Sequence, residues 1–230
     1  MISKQVGVQP QAVPGLLDTP AQLLLSLFSK IAPLWNCRRT RTSLAPSQEI
    51  SILFTDVVGF SHLMSVWPLE NIVASLDCYF ARLRRCVYRH RGQVDKYMGD
   101  GMMAVFESPN DAVRAARAIQ REVTNHNLRQ TEPTHCAFPT RIVIDTGRVV
   151  RTALGSGRDR DWTVMGPVVN TASHLAKTLP PGRVFVSHRT RRQLIGQGEL
   201  SLAGPQVMNE HGATLIVYEV TSEPVGDTAT

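Results

Sequence analysis

From residue 48 onward the apolar positions change period repeatedly, and each change marks an element. Residues 49–55 (EISILFT) form a compact apolar run, short enough for a strand buried on both faces. Over 68–90 the spacing becomes helical, with Ile72, Leu76, Tyr79, Phe80, Leu83 and Val87 on one side. Two short runs follow, 93–98 and 102–106, separated by Gly99-Asp100-Gly101. Glycine tolerates positive φ and aspartate bonds its own backbone, so this break predicts a hairpin. A second helix is expected over 110–125, entered through Ser108 and Pro109, with Val113, Ala116, Ile119 and Val123 inward. Then come a strand (140–150), a glycine-rich arginine loop (155–161), a short strand (162–165), a helix (167–179), a strand (183–187) and a final pair of elements. Strand, helix, two strands, helix, strand is the order of an α+β, ferredoxin-like βαββαβ core with a C-terminal strand/helix extension. No repeat with a period of about 20–50 residues interrupts it.

The chain before residue 48 reads differently. Leu17, Leu24, Leu25, Phe28 and Ile31 fall on one helical stripe, capped by Asp18 or Thr19 with Pro20 in its first turn. Packing on its own domain or on a twin copy is the ordinary use of such a stripe, and membrane contact is the alternative. The apolar stretch 21–35 is broken by Lys30 and Pro33 and is shorter than the roughly 20 residues a spanning helix requires, so no transmembrane segment is expected. A secretory signal pattern is not visible at the N-terminus. Residues 37–48 (CRRTRTSLAPSQ) read as a basic linker. The expected organisation is therefore an N-terminal helical segment and linker (1–47), a folded domain (48–221) and a disordered tail (222–230).

Composition narrows the choice of partner. The chain has 230 residues, 43% of them hydrophobic, enough for one domain with a substantial core. A net charge of +6 suits an anionic partner: a nucleotide, a nucleic acid or an anionic membrane. Aromatics are 6% and do not interleave with basic runs, so a nucleic-acid stacking platform is not expected. Cys37, Cys78, Cys86 and Cys136 form no C-x-x-C pair and are too sparse for a disulfide scaffold, which points to reduced, cytoplasmic thiols.

The chemistry enters with two aspartates at strand ends. Asp56 closes the first apolar run and Asp100 sits at the hairpin tip. A ferredoxin-like sheet makes the first strand and the central hairpin neighbours, so both carboxylates can converge at one end. Two carboxylates with few other protein ligands form a typical magnesium site when a polyphosphate supplies the remaining oxygens. The segment Val57-Val58-Gly59-Phe60-Ser61 then turns into a helix start, whose free N–H groups favour phosphate. Taken singly, a strand-end aspartate is usually a turn residue or a cap.

Four segments in order, FTDVVGFS, HRGQVDKYMGDGMMAVF, IDTGRVV and GSGRDRDWTVMGPVVNTASHL, together resemble the catalytic domain of class III nucleotidyl cyclases, nearest the bacterial adenylyl cyclases. The resemblance runs from about residue 48 to residue 220. It implies that Asp56 and Asp100, with the carbonyl of Val57, hold two Mg²⁺ or Mn²⁺ ions per site, and that Gly59 and Phe60 lie by the phosphates. It implies that Lys96 and Thr163 read the adenine edge of ATP, Asn170 holds the ribose and Arg183 contacts the triphosphate. A lysine donates to adenine N1, whereas guanine N1–H needs an acceptor, which argues for ATP. The resemblance also implies a head-to-tail homodimer with shared active sites, and formation of cyclic AMP and pyrophosphate by attack of the ribose 3′-hydroxyl on the α-phosphate.

One position departs from the family pattern. Four residues after Asn170, on the same helix face, the family carries an arginine that stabilises charge at the α-phosphate; this chain has His174. Histidine is shorter, lacks the planar fork and is mostly neutral near pH 7. The expected activity is therefore slow adenylate cyclase turnover in signal transduction. The alternative is a degenerate domain that binds nucleotide or serves as a regulatory subunit.

Overall fold

The computed structural model describes residues 46–128, 136–155, 158, 161–194, 201–210 and 213–221. Strand β1 (Gln48–Val57) leads through a short helix α1 (Phe60–Val66) into α2 (Leu69–Arg89). The hairpin β2 (Gln93–Met98) and β3 (Gly101–Phe106) precedes α3 (Pro109–Leu128), and a long strand β4 (Thr140–Leu154) folds back on β5 (Asp161–Met165). Helix α4 (Pro167–Thr178), strand β6 (Val184–Ser187), helix α5 (His188–Gln193) and the hairpin β7 (Ser201–Glu210) and β8 (Ala213–Thr221) complete the described chain. The sheet order is β2-β3-β1-β4-β6-β8-β7, with β5 paired to β4 off this path. Its first four strands have the ferredoxin-like order expected from the sequence, and the rest extend it at the β4 edge. The expected N-terminal helix and the C-terminal tail lie outside the described residues, as does most of the linker.

Both faces of β1 are covered, which is why its apolar run is nearly continuous. Leu53 and Val57 join one core with Ile72, Tyr79 and Leu83 of α2 and Val113, Ala116, Ile119 and Val123 of α3. Ile50, Ile52 and Phe54 join the other, with Val168, Ala172 and Leu175 of α4. The helical faces expected for α2 and α3 are thus the buried ones; Leu76 and Phe80 pack against the first core but remain partly open. Period two then assigns Asp56 to the α4 face, in series with Ile52 and Phe54.

Two features exceed the local pattern. Strand β4 runs four residues beyond the expected end, because β5 pairs with residues 150–154 of it in an antiparallel ladder. Helix α5 interrupts the chain after β6. Its cap, Ser187 Oγ, accepts from Thr190 N at 3.1 Å and donates to the fully buried Asp145 at 2.6 Å. Asp145 is also held by the Arg189 guanidinium. A buried carboxylate needs such partners, and they come from a segment over 40 residues away, so nothing local announces the helix.

Candidate active site

The β2–β3 hairpin delivers two chemically different groups. At its tip, Gly99 sits at φ +64°, and Gly101 lies so close to β1 that a Cβ there would stand 2.7 Å from the Thr55 carbonyl oxygen. Only glycine allows that approach, and it brings the preceding residue, Asp100, against the end of β1. The Val57 N–H donates to Asp100 Oδ2 at 3.3 Å. Burial pushes the Asp100 carboxyl above its ordinary range, and the neighbouring charge of Asp56 adds to the shift. Asp56 and Asp100 therefore converge, as the sequence led one to expect.

The surroundings fit a hard divalent cation. The donors are two carboxylates placed close enough to repel, partly open to solvent, and no cluster of three or more His, Cys, Asp or Glu side chains occurs among the described residues. The balance of an oxygen shell then falls to backbone, water and substrate phosphates. The protein cation nearest Asp56 is one the sequence reading missed. Arg141, directly opposite Asp56 in the β1–β4 register, donates from Nη1 to Asp56 Oδ2 at 3.0 Å and from Nε to the Leu179 carbonyl at 2.5 Å. Only the register, which places residues 85 positions apart side by side, could have revealed it.

Gly59, at φ +75°, starts α1, and its carbonyl accepts from His62 N and Leu63 N at 2.9 and 3.0 Å. The adjoining Phe60 ring packs on the α2–α3 core.

Lys96 and Thr163, 67 residues apart in sequence, meet directly: Lys96 Nζ donates to Thr163 Oγ1 at 2.6 Å. A β-bulge makes this possible. Val94 faces Ala104 and Lys96 faces Met103, leaving Asp95 as an extra residue in β2. Asn170 and His174 stand one turn apart on α4, both exposed, with Val168, Ala172, Leu175 and Ala176 forming its buried side. Arg183 is placed elsewhere. At the start of β6 it pairs with Glu219 at 2.9 Å, beside Arg117 and Arg121 of α3. The structure does not bring it together with Lys96 and Thr163.

Known proteins similar to this chain identify its family. The family model for the adenylate and guanylate cyclase catalytic domain matches residues 43–219. An uncharacterized protein of Mycobacterium tuberculosis is 30% identical over 154 residues, covering 63% of this chain and 26% of its own length. Adenylate cyclase 1 of Rhizobium meliloti is 30% identical over 135 residues, covering 56% of this chain and 20% of its own length. The chain thus spans about a quarter or less of these relatives. Among solved structures, the guanylyl cyclase Cya2 superimposes with a TM-score of 0.71 at 24% identity, over 80% of this chain and 98% of that one, a likeness of fold. The chain belongs to the adenylate and guanylate cyclase catalytic domain family.

Proposed function

As a member of this family, the chain is, we propose, an adenylate cyclase that converts ATP to cyclic AMP and pyrophosphate in a head-to-tail homodimer. The observation that carries the choice of base is the Lys96–Thr163 pair. The ammonium keeps two N–H donors beyond the one given to Thr163, and adenine N1 is an acceptor. The Thr163 hydroxyl, already accepting from Lys96, retains a second lone pair for the adenine amino group.

Asp56 and Asp100, with the carbonyl of Val57, would hold Mg²⁺ or Mn²⁺, and the ions when bound acidify the 3′-hydroxyl and neutralise phosphate charge. The rest falls to the chain's own residues. Arg141 fixes the Asp56 carboxylate by a charged hydrogen bond, and the Val57 amide fixes that of Asp100. Asn170 orients the ribose from the exposed side of α4. His174, one turn further, is the side chain this reading places near the α-phosphate, and an imidazole there, shorter than arginine and without its planar fork, makes turnover slow. Gly59 and Phe60 border the phosphates at the start of α1. A triphosphate role for Arg183 requires its pair with Glu219 to open.

Turnover assays on the purified chain with ATP, and separately GTP, in Mn²⁺ or Mg²⁺ test the reading. Cyclic AMP as the favoured product supports it. Cyclic GMP in excess overturns the choice of base, and tight ATP binding without product moves the protein to the regulatory alternative.

A further inference from the structure

At the end of β1 away from Asp56 the surface folds into a cleft of about 500 Å³, walled by Glu49, Arg148, Val168, Arg189, Arg192 and Gln193. Three parts of the fold meet there: the β1–β4 ladder, where Glu49 faces Arg148, the first turn of α4, and α5. Residues 49 and 56 are roughly 23 Å apart along an extended strand, so the cleft stands apart from the Asp56–Asp100 pair.

Three guanidiniums line this cleft against one carboxylate, and that carboxylate is engaged: Glu49 Oε1 accepts from Gln193 Nε2 at 2.5 Å. Arg189 is clamped from beneath. Its Nε and Nη2 both donate to the fully buried Asp145, while the side chain stays 49% exposed and Nη1 is left over. Arg148 gives Nη2 to the neutral Ser47 hydroxyl at 3.0 Å. Both Arg148 and Arg192 are exposed, and neither forms an ion pair among the described residues. Counting Asp145, two carboxylates stand against three cations, and like charges held together repel. Helix α4 adds to the positive field, since it opens on Gly166 with no side-chain cap and no acidic residue in its first turn.

We propose that this cleft is a second anion site, which binds a compact polyphosphate through Arg148, Arg189 and Arg192. Guanidinium forks match phosphate oxygens, and the anchoring of Arg189 on Asp145 fixes one of them before any ligand arrives. Guanidiniums on both β4 and α5 suit an anion with more than one phosphoryl group. No aromatic ring lines the cleft, so a nucleobase has nothing to stack on and the phosphates carry the recognition. The site is independent of the cyclase reading, because it uses none of the residues assigned to that reaction.

The probe is inorganic pyrophosphate, titrated into the full chain by calorimetry in EDTA, with NaCl adjusted to constant ionic strength; chelation keeps divalent cations away from Asp56 and Asp100. One pyrophosphate per chain is expected, bound about tenfold or more tightly than inorganic phosphate. Arg148→Ala and Arg192→Ala should each weaken it about tenfold or more, the loss of one charge-assisted hydrogen bond, with the melting temperature of the ligand-free chain unchanged. Arg82→Ala removes the same charge from an exposed position on α2 and should bind like the wild type. Equal weakening in Arg82→Ala shows a general response to net charge and overturns the proposal. Absence of binding by the wild type, or binding that survives both Arg148→Ala and Arg192→Ala, also overturns it. Inorganic phosphate binding as tightly as pyrophosphate refutes the polyphosphate class.

Discussion

Asp56 and Arg141 lie directly opposite each other on β1 and β4, joined by an Nη1–Oδ2 hydrogen bond of 3.0 Å between side chains 25% and 22% exposed. The same guanidinium holds the Leu179 carbonyl at the end of α4. One arginine therefore ties the C-terminal end of β1 to the helix that carries Asn170 and His174. A partly exposed pair of this kind is worth roughly 1 kcal/mol. A double-mutant cycle of Asp56→Ala and Arg141→Ala, followed by urea unfolding, should return a coupling of about that size. Additive single-mutant effects would show that the pair contributes nothing.

Asp56→Ala and Asp100→Ala should each abolish cyclic AMP formation while leaving the fold intact, because each removes a carboxylate required by the cations. Their stabilities should differ. Asp100 loses a strained, partly buried charge and one weak amide bond, so its variant should melt at or above the wild-type temperature. Asp56 also loses Arg141, so its variant should gain less or fall. Product from either variant in assays with Mn²⁺ sinks the metal assignment.

Complementation addresses the dimer. In a shared-site arrangement Lys96 and Asp100 of one hairpin serve different sites, so mixing inactive Lys96→Ala with inactive Asp100→Ala should regenerate one complete site per heterodimer. The yield is about a quarter of wild-type activity if subunits exchange at random, since half the dimers are mixed and each holds one good site. Exchange demonstrated by differential labelling, with no recovery of turnover, would refute the arrangement.

His174→Arg should raise kcat by about one to three orders of magnitude, roughly the worth of one transition-state donor, with little change in KM. Arg158, exposed in the loop before β5, and Arg160, outside the described residues, are the other candidate sources of this charge. A flat kcat in His174→Arg combined with a severe loss in Arg158→Ala or Arg160→Ala would transfer the role to that loop.

Asp95 makes a prediction about pH. Its carboxyl is raised in the folded chain, so the fold favours the neutral form and loses stability as pH climbs from about 4 through the folded value. Asp95→Asn removes that penalty. Its melting temperature relative to wild type should therefore be higher at pH 7 than at pH 4. An offset that is the same at both pH values would mean that the buried carboxylate carries no ionisation cost.

Much of this molecule was legible along the chain. The period changes located β1, α2, the β2–β3 hairpin and α3, because their buried faces repeat locally and the turn between the hairpin strands needs glycine for steric reasons that any reader can apply. Asp56, Asp100, Lys96 and Thr163 stood out because charged or polar residues break apolar runs or match motif segments. The convergence of Asp56 with Asp100 followed from strand order, whereas the pairing of Lys96 with Thr163 was implied by the resemblance to the cyclase family. Arg141 and Asp145 did not stand out. Each is an unremarkable polar residue in sequence, and its role depends on what sits across a strand pair or behind a bulge. Register, a property of two strands at once, decided that Arg141 faces Asp56. A single extra residue in β2 accompanies the meeting of Lys96 with Thr163. Tertiary pairing also lengthened β4 and capped α5, since both draw their hydrogen bonds from partners distant in sequence. Sequence alone thus determined which groups the chain could bring to a site, and the packing of the sheet decided which of them meet.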